Sequence, residues 1–169
     1  MRRQAERPRD RRDRIVSTAA NLFGTDGFAH VSIADIARQE GITGPAIYRH
    51  FASKQLILDA VIARLLGDLT LALVDASGSK QDEGARLTAA IAATWSYALQ
   101  QPWPLATYLR DEGYLPSNLL IGIAERRSLL TDSWLRVAPG IGDHEYVDTR
   151  VQSLLGALGP LASRPTPGA

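Results

Sequence analysis

Two short helical segments parted by a single glycine constrain the fold of this chain more than any other feature. The stretch from Ser32 to Lys54 reads SIADIARQEGITGPAIYRHFASK. Ser32 followed by Asp35 is the S-x-x-D form of a capping box, and Val31 with Ile36 has the spacing of a hydrophobic staple, so a helix begins at Ser32. Gly41 ends it by admitting the positive φ of a helix C-terminus. Ile42 and Thr43 make the turn, and Thr43 or Gly44 caps a third helix whose first turn holds Pro45, where a missing N–H does no harm. Ile33, Ile36, Ala37, Ile42, Ile47 and Phe51 then lie on inner faces, and helices this short bury such a set only by crossing a further helix. Thr43, Gly44, Pro45, Tyr48, Arg49 and His50 are left on the outer side.

The remaining sequence supplies helices and no strands. Ile15, Ala19, Leu22 and Phe23 fall on one face of a helix over 11–26, closed by Gly27. Ser53 caps a fourth helix over 54–74, with Leu56, Ala60, Ile62 and Leu66 inward. Residues 75–83 form a polar joint. A fifth helix reaches Gln101 and is stopped by Pro102-Trp103-Pro104; a sixth covers 105–112. A seventh covers 118–138, stopped by Pro139-Gly140. The last, over 144–158, carries the stripe Val147, Val151, Leu154, Leu155 and Leu158, and Pro160 ends it. The fold expected is all-α. A disordered arginine-bearing arm (1–10) leads into a three-helix head with a helix-turn-helix (11–53). A helical body follows (54–159), with the fourth helix as connector, and then a disordered tail (160–169).

Charge and residue inventory exclude several function classes. The net charge of +1 conceals ten Lys/Arg against six Asp/Glu through Lys54, and nine against twelve beyond it. A basic front on an acidic back suits a polyanion at the front, although scatter of surface charge gives the same sums. No cysteine is present, which removes disulfides, thiolate metal sites and cysteine nucleophiles. No apolar run approaches the roughly 18 residues of a membrane span. No export signal is legible either, so a cytoplasmic protein without cofactor or metal is expected. His30, His50 and His144 are far apart and lack ligand spacing. There is no G-x-S-x-G, no P-loop and no dinucleotide-binding glycine pattern. Asp111 and Glu112 are adjacent and so diverge by about 100° on a helix rather than facing one substrate. Catalysis is not expected.

The segment FGTDGFAHVSIADIARQEGITGPAIYRHFASKQLIL resembles the N-terminal domain of tetracycline-repressor (TetR) family transcriptional regulators. Phe23, the Gly27-Phe28 pair, Ser32 to Ala37, Gly41-Ile42 and Tyr48-x-His50-Phe51-x-x-Lys54 carry the resemblance, over about residues 12–60. It implies base contacts from Thr43, Gly44 and Pro45 in the major groove, and phosphate contacts from Tyr48, His50 and Lys54. Ser32 is a helix cap and a further phosphate donor. Arg49 either reads guanine or clamps phosphate. The arginine arm either reaches DNA or stands as a solvated tail.

The same resemblance implies a homodimer on double-stranded DNA, paired through the last two long helices, which puts the Val147 to Leu158 stripe at the interface. A further long helix found in many members has no counterpart here. It also implies a small-molecule effector among the middle helices, where Trp95, Leu99, Trp103, Tyr108, Tyr114 and Trp134 are concentrated and Arg110, Asp111 and Glu112 supply polarity. A hydrophobic or aromatic effector that releases a repressor from a palindromic operator is the function expected. A receptor with a degenerate head, or an effector-independent DNA-organising protein, stays open as the alternative.

Overall fold

The structure, a computed structural model of the chain, describes residues 8–78 and 82–162. Its elements are helical throughout: α1 (Pro8–Asp26), α2 (Ile33–Gln39), α3 (Gly44–Tyr48), α4 (Lys54–Ser77), α5 (Glu83–Gln100), α6 (Pro102–Asp111), a 3-10 turn (Glu112–Tyr114), α7 (Ser117–Val137) and α8 (His144–Ala162). Helices α1 to α3 form a head and α5 to α8 a body, and α4 is packed by both. Its residues Ile57, Leu58, Val61, Ile62, Leu65, Leu66, Leu69 and Leu73 are all buried, facing α1 as well as α5, α6 and α7. These positions cover about half of the helix circumference, wider than the usual apolar stripe, while Arg64, Gly67, Leu71 and Val74 stay exposed on the other half.

In the head, Ile15, Ala19 and Phe23 of α1 meet Ile36, Ala37, Ile47 and Phe51 in one buried cluster, which is the crossing that the short helices demand. The turn between α2 and α3 closes as a Schellman motif. Gly41 has φ 65°, its N–H donates to Arg38 O at 3.1 Å, and the Ile42 N–H donates to Ala37 O at 2.9 Å. Glu40, just before it, is tied to α1 by Arg14 at 3.3 Å and by the Thr18 hydroxyl.

Several boundaries differ from expectation. Helix α1 starts at Pro8, so residues 8–10 belong to it rather than to an arm; a proline is at home in a first turn. Residues 1–7 lie outside the described residues. The Pro102-Trp103-Pro104 run ends α5 and also opens α6, with Gln101 capping both. Helix α8 continues through Pro160 to Ala162, although a proline there gives up the bond to the carbonyl four residues back. Residues 163–169 of the expected tail are also outside the described residues.

One expectation is corrected outright. Val147, Val151 and Leu155 are 2%, 5% and 2% exposed within the single chain, and Leu154 is half-buried against the same core. Helix α8 packs on α5, α6 and α7, and Val147, Val151 and Leu155 close the subunit rather than facing a second copy. Periodicity marks which face is buried without saying against what. The Leu158 side chain is outside the described set.

Helices α1 and α6 approach closely where Gly24 faces Trp103. A Cβ at position 24 would stand 2.7 Å from Trp103 Cβ and 3.0 Å from its Cα. Gly24→Ala is therefore expected to destabilise the fold by about 1–3 kcal/mol through overpacking. Gly67→Ala, on α4 with nothing within 4 Å of the added methyl, should stabilise it by about 0.5–1 kcal/mol. Urea unfolding of the two variants beside the parent measures both signs.

Candidate nucleic-acid interface

The outer face of the head is set by a surface cap on α2 and by inward anchors on α3. Ser32 is the N-cap of α2; its Oγ accepts the Asp35 N–H at 3.2 Å, while its own N–H and hydroxyl donate to Asp35 Oδ2 at 2.9 and 2.6 Å. Arg38 adds a bond to Asp35 Oδ1 at 2.8 Å. The Ser32 hydroxyl and backbone bonds, with the Arg38 cation, hold the Asp35 carboxyl down at about 2. The Ser32 hydroxyl proton is thus committed to Asp35, and a phosphate would have to compete for it.

Helix α3 has Thr43 as N-cap, but the Thr43 hydroxyl makes no capping bond, and Pro45 occupies the first turn. Ile47 and Phe51 anchor the segment inward, and Arg12 lies 4.6 Å over the Phe51 ring. That anchoring turns Tyr48 out at 56% exposure. Thr43, Pro45 and Arg49 are exposed beside it, with Gly44 and His50 half-buried. An exposed hydroxyl, a phenol, an imidazole and a guanidinium on one capped, glycine-started turn are the groups that bind phosphates and base edges.

Lys54 has a structural role beside the expected phosphate one. Its ammonium turns back onto the loop between α1 and α2, donating to Phe28 O at 2.8 Å and Val31 O at 2.9 Å and lying 4.2 Å from the Phe28 ring centroid. Two of its three donors therefore pin the approach to α2. The partners are 26 and 23 residues away in sequence, a distance at which no local pattern announces them.

The profile of bacterial regulatory proteins of the tetR family matches residues 15–61, from α1 through the first two turns of α4. Over those residues the chain carries the N-terminal domain of this family. The chain is a DNA-binding transcriptional regulator. Over 138 residues it is 28% identical to the transcriptional repressor KstR2 of Rhodococcus jostii (strain RHA1), a match covering 80% of this chain and 68% of that protein. The fold is that of PfmR from Thermus thermophilus, with a TM-score of 0.78 at 22% identity, covering 91% and 90% of the two chains. It is also that of AibR, solved with isovaleryl coenzyme A and operator DNA, with a TM-score of 0.71 at 17% identity, covering 94% and 89%.

The body places the expected effector residues on several of its faces. Trp95 and Leu99 are 43% and 56% exposed on the outer face of α5, where they share an open apolar groove with Ile91, because Ala90, Thr94 and Ala98 occupy its inner face. Trp103 lies against Gly24. Tyr108 and Trp134 are core residues. Tyr114 is exposed, its ring centroid 5.2 Å from that of Phe28, and Arg110 bonds to α1. These seven residues stand on different faces of the body, which sequence clustering does not reveal. A cleft of about 320 Å3 lies between α1, α4 and α5, lined by Val16, Ala20, Arg64, Asp68 and Tyr97 among others. Arg64 bonds to Ser17 Oγ at 2.8 Å, and the Tyr97 hydroxyl donates to Asp68 at 3.1 Å. Burial, and then the Asp68 charge, push the ionisation of Tyr97 far above its ordinary value.

Among the described residues, no His/Asp/Glu group could hold a metal ion, and no helix is long and apolar enough to cross a membrane.

Two measurements follow from this geometry. The folded-state pKa of Asp35 lies below its ordinary value of 3.8, so its contribution is present above the unfolded value and is lost as pH falls towards about 2. The carboxyl carbon shift of Asp35, followed by NMR from pH 6 down, should show its midpoint near 2, and Ser32→Ala should move it towards 3.8. Lys54→Met keeps an apolar stem over Phe28 but removes both carbonyl bonds, and should cost about 1–3 kcal/mol in urea unfolding.

Proposed function

We propose that two copies of this chain place their α3 helices in successive major grooves of a palindromic operator and repress transcription until a small molecule releases them. The observation that carries the proposal is the split of the head into a fully buried inner face, Ile36, Ile47 and Phe51, and an outer face of Thr43, Pro45, Tyr48 and Arg49. One short helix contacts too few bases for useful specificity, so pairing of two heads on a two-fold site supplies it. Thr43, Gly44 and Pro45 stand at the groove edge, and Tyr48 and His50 donate to phosphates. Arg49, immediately past the end of α3, is the base reader or a further phosphate clamp. Ser32 contributes through the cap it forms, and Lys54 chiefly through the loop it pins, with one remaining donor for phosphate.

Release is a two-state matter. An effector that binds better to the conformation with wrongly spaced heads lowers operator affinity by that difference, and the operator weakens the effector by the same factor. AibR, which shares the fold, was solved with both an acyl-coenzyme A and its operator. That supports a hydrophobic acyl or aromatic effector for this chain. The likeness to a named repressor supports repression as the sign.

The test is fluorescence anisotropy on DNA fragments from upstream of the chain's own gene, at several salt concentrations. A sequence-specific complex whose log affinity falls linearly with log salt is expected. Tyr48→Phe should weaken binding several-fold on all sequences alike. Thr43→Ala and Arg49→Ala should change which base is preferred, by about 1–3 kcal/mol if the lost contact is to a base. Binding indifferent to sequence would favour a DNA-organising protein, and absence of binding a receptor with a degenerate head.

A further inference from the structure

The body meets the loop entering α2 at the end of α6. Asp111 is only 2% exposed, a burial that an unpaired carboxylate does not tolerate. Its Oδ2 accepts the Phe28 N–H at 3.2 Å and Arg110 Nη2 at 2.9 Å, while Oδ1 accepts Arg110 Nε at 3.1 Å. The guanidinium, so held, donates onward to Phe23 O and, at 3.4 Å, to Gly24 O. Those are carbonyls of the last turn of α1, at the negative end of the helix dipole, and Phe23 O also accepts the Gly27 N–H at 3.0 Å. The last turn of α6 therefore caps the end of α1 across 83 to 87 residues of sequence.

The loop that follows α1 is held from two further directions. The Phe28 ring lies between Phe23, met edge to face, and Tyr114, met at a tilt, with both ring centroids at 5.2 Å. Lys54 of α4 holds Phe28 O and Val31 O. The next residue is Ser32, the cap of α2. Thus α6, the 3-10 turn and α4 all grip five residues that lead straight into the helix-turn-helix. Position 27 joins this contact: a Cβ there would stand 3.9 Å from the Arg110 guanidinium carbon.

We propose that Arg110 and Asp111 are positioning residues for DNA binding: their clamp on Phe23, Gly24 and Phe28 fixes the angle at which the body carries the head. Neither residue is part of the outer face of α3. The inference rests on the DNA-binding assignment above and adds where the head is aimed. Two heads must land in register on successive grooves, so freedom at this joint divides the population between competent and incompetent poses, and apparent affinity falls by the competent fraction. Asp111→Asn keeps the shape but removes the negative charge and leaves Arg110 one acceptor in place of two. Arg110→Lys keeps the positive charge but cannot fork between the carboxylate and two carbonyls.

The chain has no cysteine, so cysteines introduced by Gln39→Cys on α2 and Ser153→Cys on α8 can be labelled alone. Electron–electron distance measurement on a spin-diluted sample without DNA reads the head-to-body distance. Operator affinity is measured in parallel across salt. The expected result for both variants is a broadened distance distribution and roughly tenfold weaker operator binding. The salt slope should stay at the parent value because no phosphate contact is lost. Should Asp111→Asn fail to fold, Arg110→Lys carries the test, since its side chain is about half exposed. Parent-like distances in the folded variants overturn the proposal, as does a lowered melting temperature with unchanged operator affinity. If the parent itself binds no DNA, the assignment above fails, while the distance distribution still reports on the clamp.

Discussion

The structure depends on the burial of α4 by several helices. A helix with Ile57, Leu58, Val61, Ile62, Leu65, Leu66, Leu69 and Leu73 all out of water has too wide an apolar face to stand alone. Burying each such side chain contributes on the order of 1.5–3 kcal/mol, so separating α4 from either neighbour forfeits a large share of a domain's usual stability. Head and body are therefore two ends of one core. A shift of α4 within the body has to be met by α1 in the head, which is the mechanical condition for an effector acting at a distance.

Around that apolar axis, three polar contacts at joints between helices share one form. Glu40 with Arg14 and Thr18 ties the end of α2 to α1. Asp111 with Arg110 ties α6 to the end of α1. Asp148 of α8 is reached by the Thr131 hydroxyl at 3.0 Å and lies 3.6 Å from Arg127, both on α7. In each case an acidic group is held by a guanidinium and a neutral donor, so that its withdrawal from water is compensated. Apolar packing fixes which helices adjoin. These groups fix their relative angle, because a hydrogen bond tolerates less sliding than a greasy contact does.

Much of the head was legible in the sequence because its determinants are local. The Ser32–Asp35 box, Gly41 with its positive φ, Pro45 in a first turn and the inward Ile47 and Phe51 act within a few residues of one another. From them the outward set of Thr43, Tyr48 and Arg49 follows by elimination. What sequence could not show was long-range. The turn of Lys54 onto Phe28 O and the bond from Phe28 N–H to Asp111 join residues 26 and 83 apart. The α8 stripe was visible as a buried face, yet its partners are the subunit's own α5, α6 and α7. Likewise a cluster of aromatics in sequence implied a pocket, but helical phase distributes Trp95 outward and Tyr108 and Trp134 inward. The Pro102-Trp103-Pro104 run carries the same signal for ending one helix as for starting the next, and here it does both.

On the proposed reading two heads, each fixed to its own body by one continuous core, read one two-fold site. The most direct measurement is binding to a selected operator and to the same operator lengthened by about five base pairs between its half-sites. That insertion turns one half-site to the opposite side of the duplex, about half a helical turn away. The expected result is two chains on the native site, and loss of that complex on the lengthened one while each separate half-site is bound no more than weakly. Equal affinity for both spacings, or one chain bound tightly to a single half-site, would contradict it.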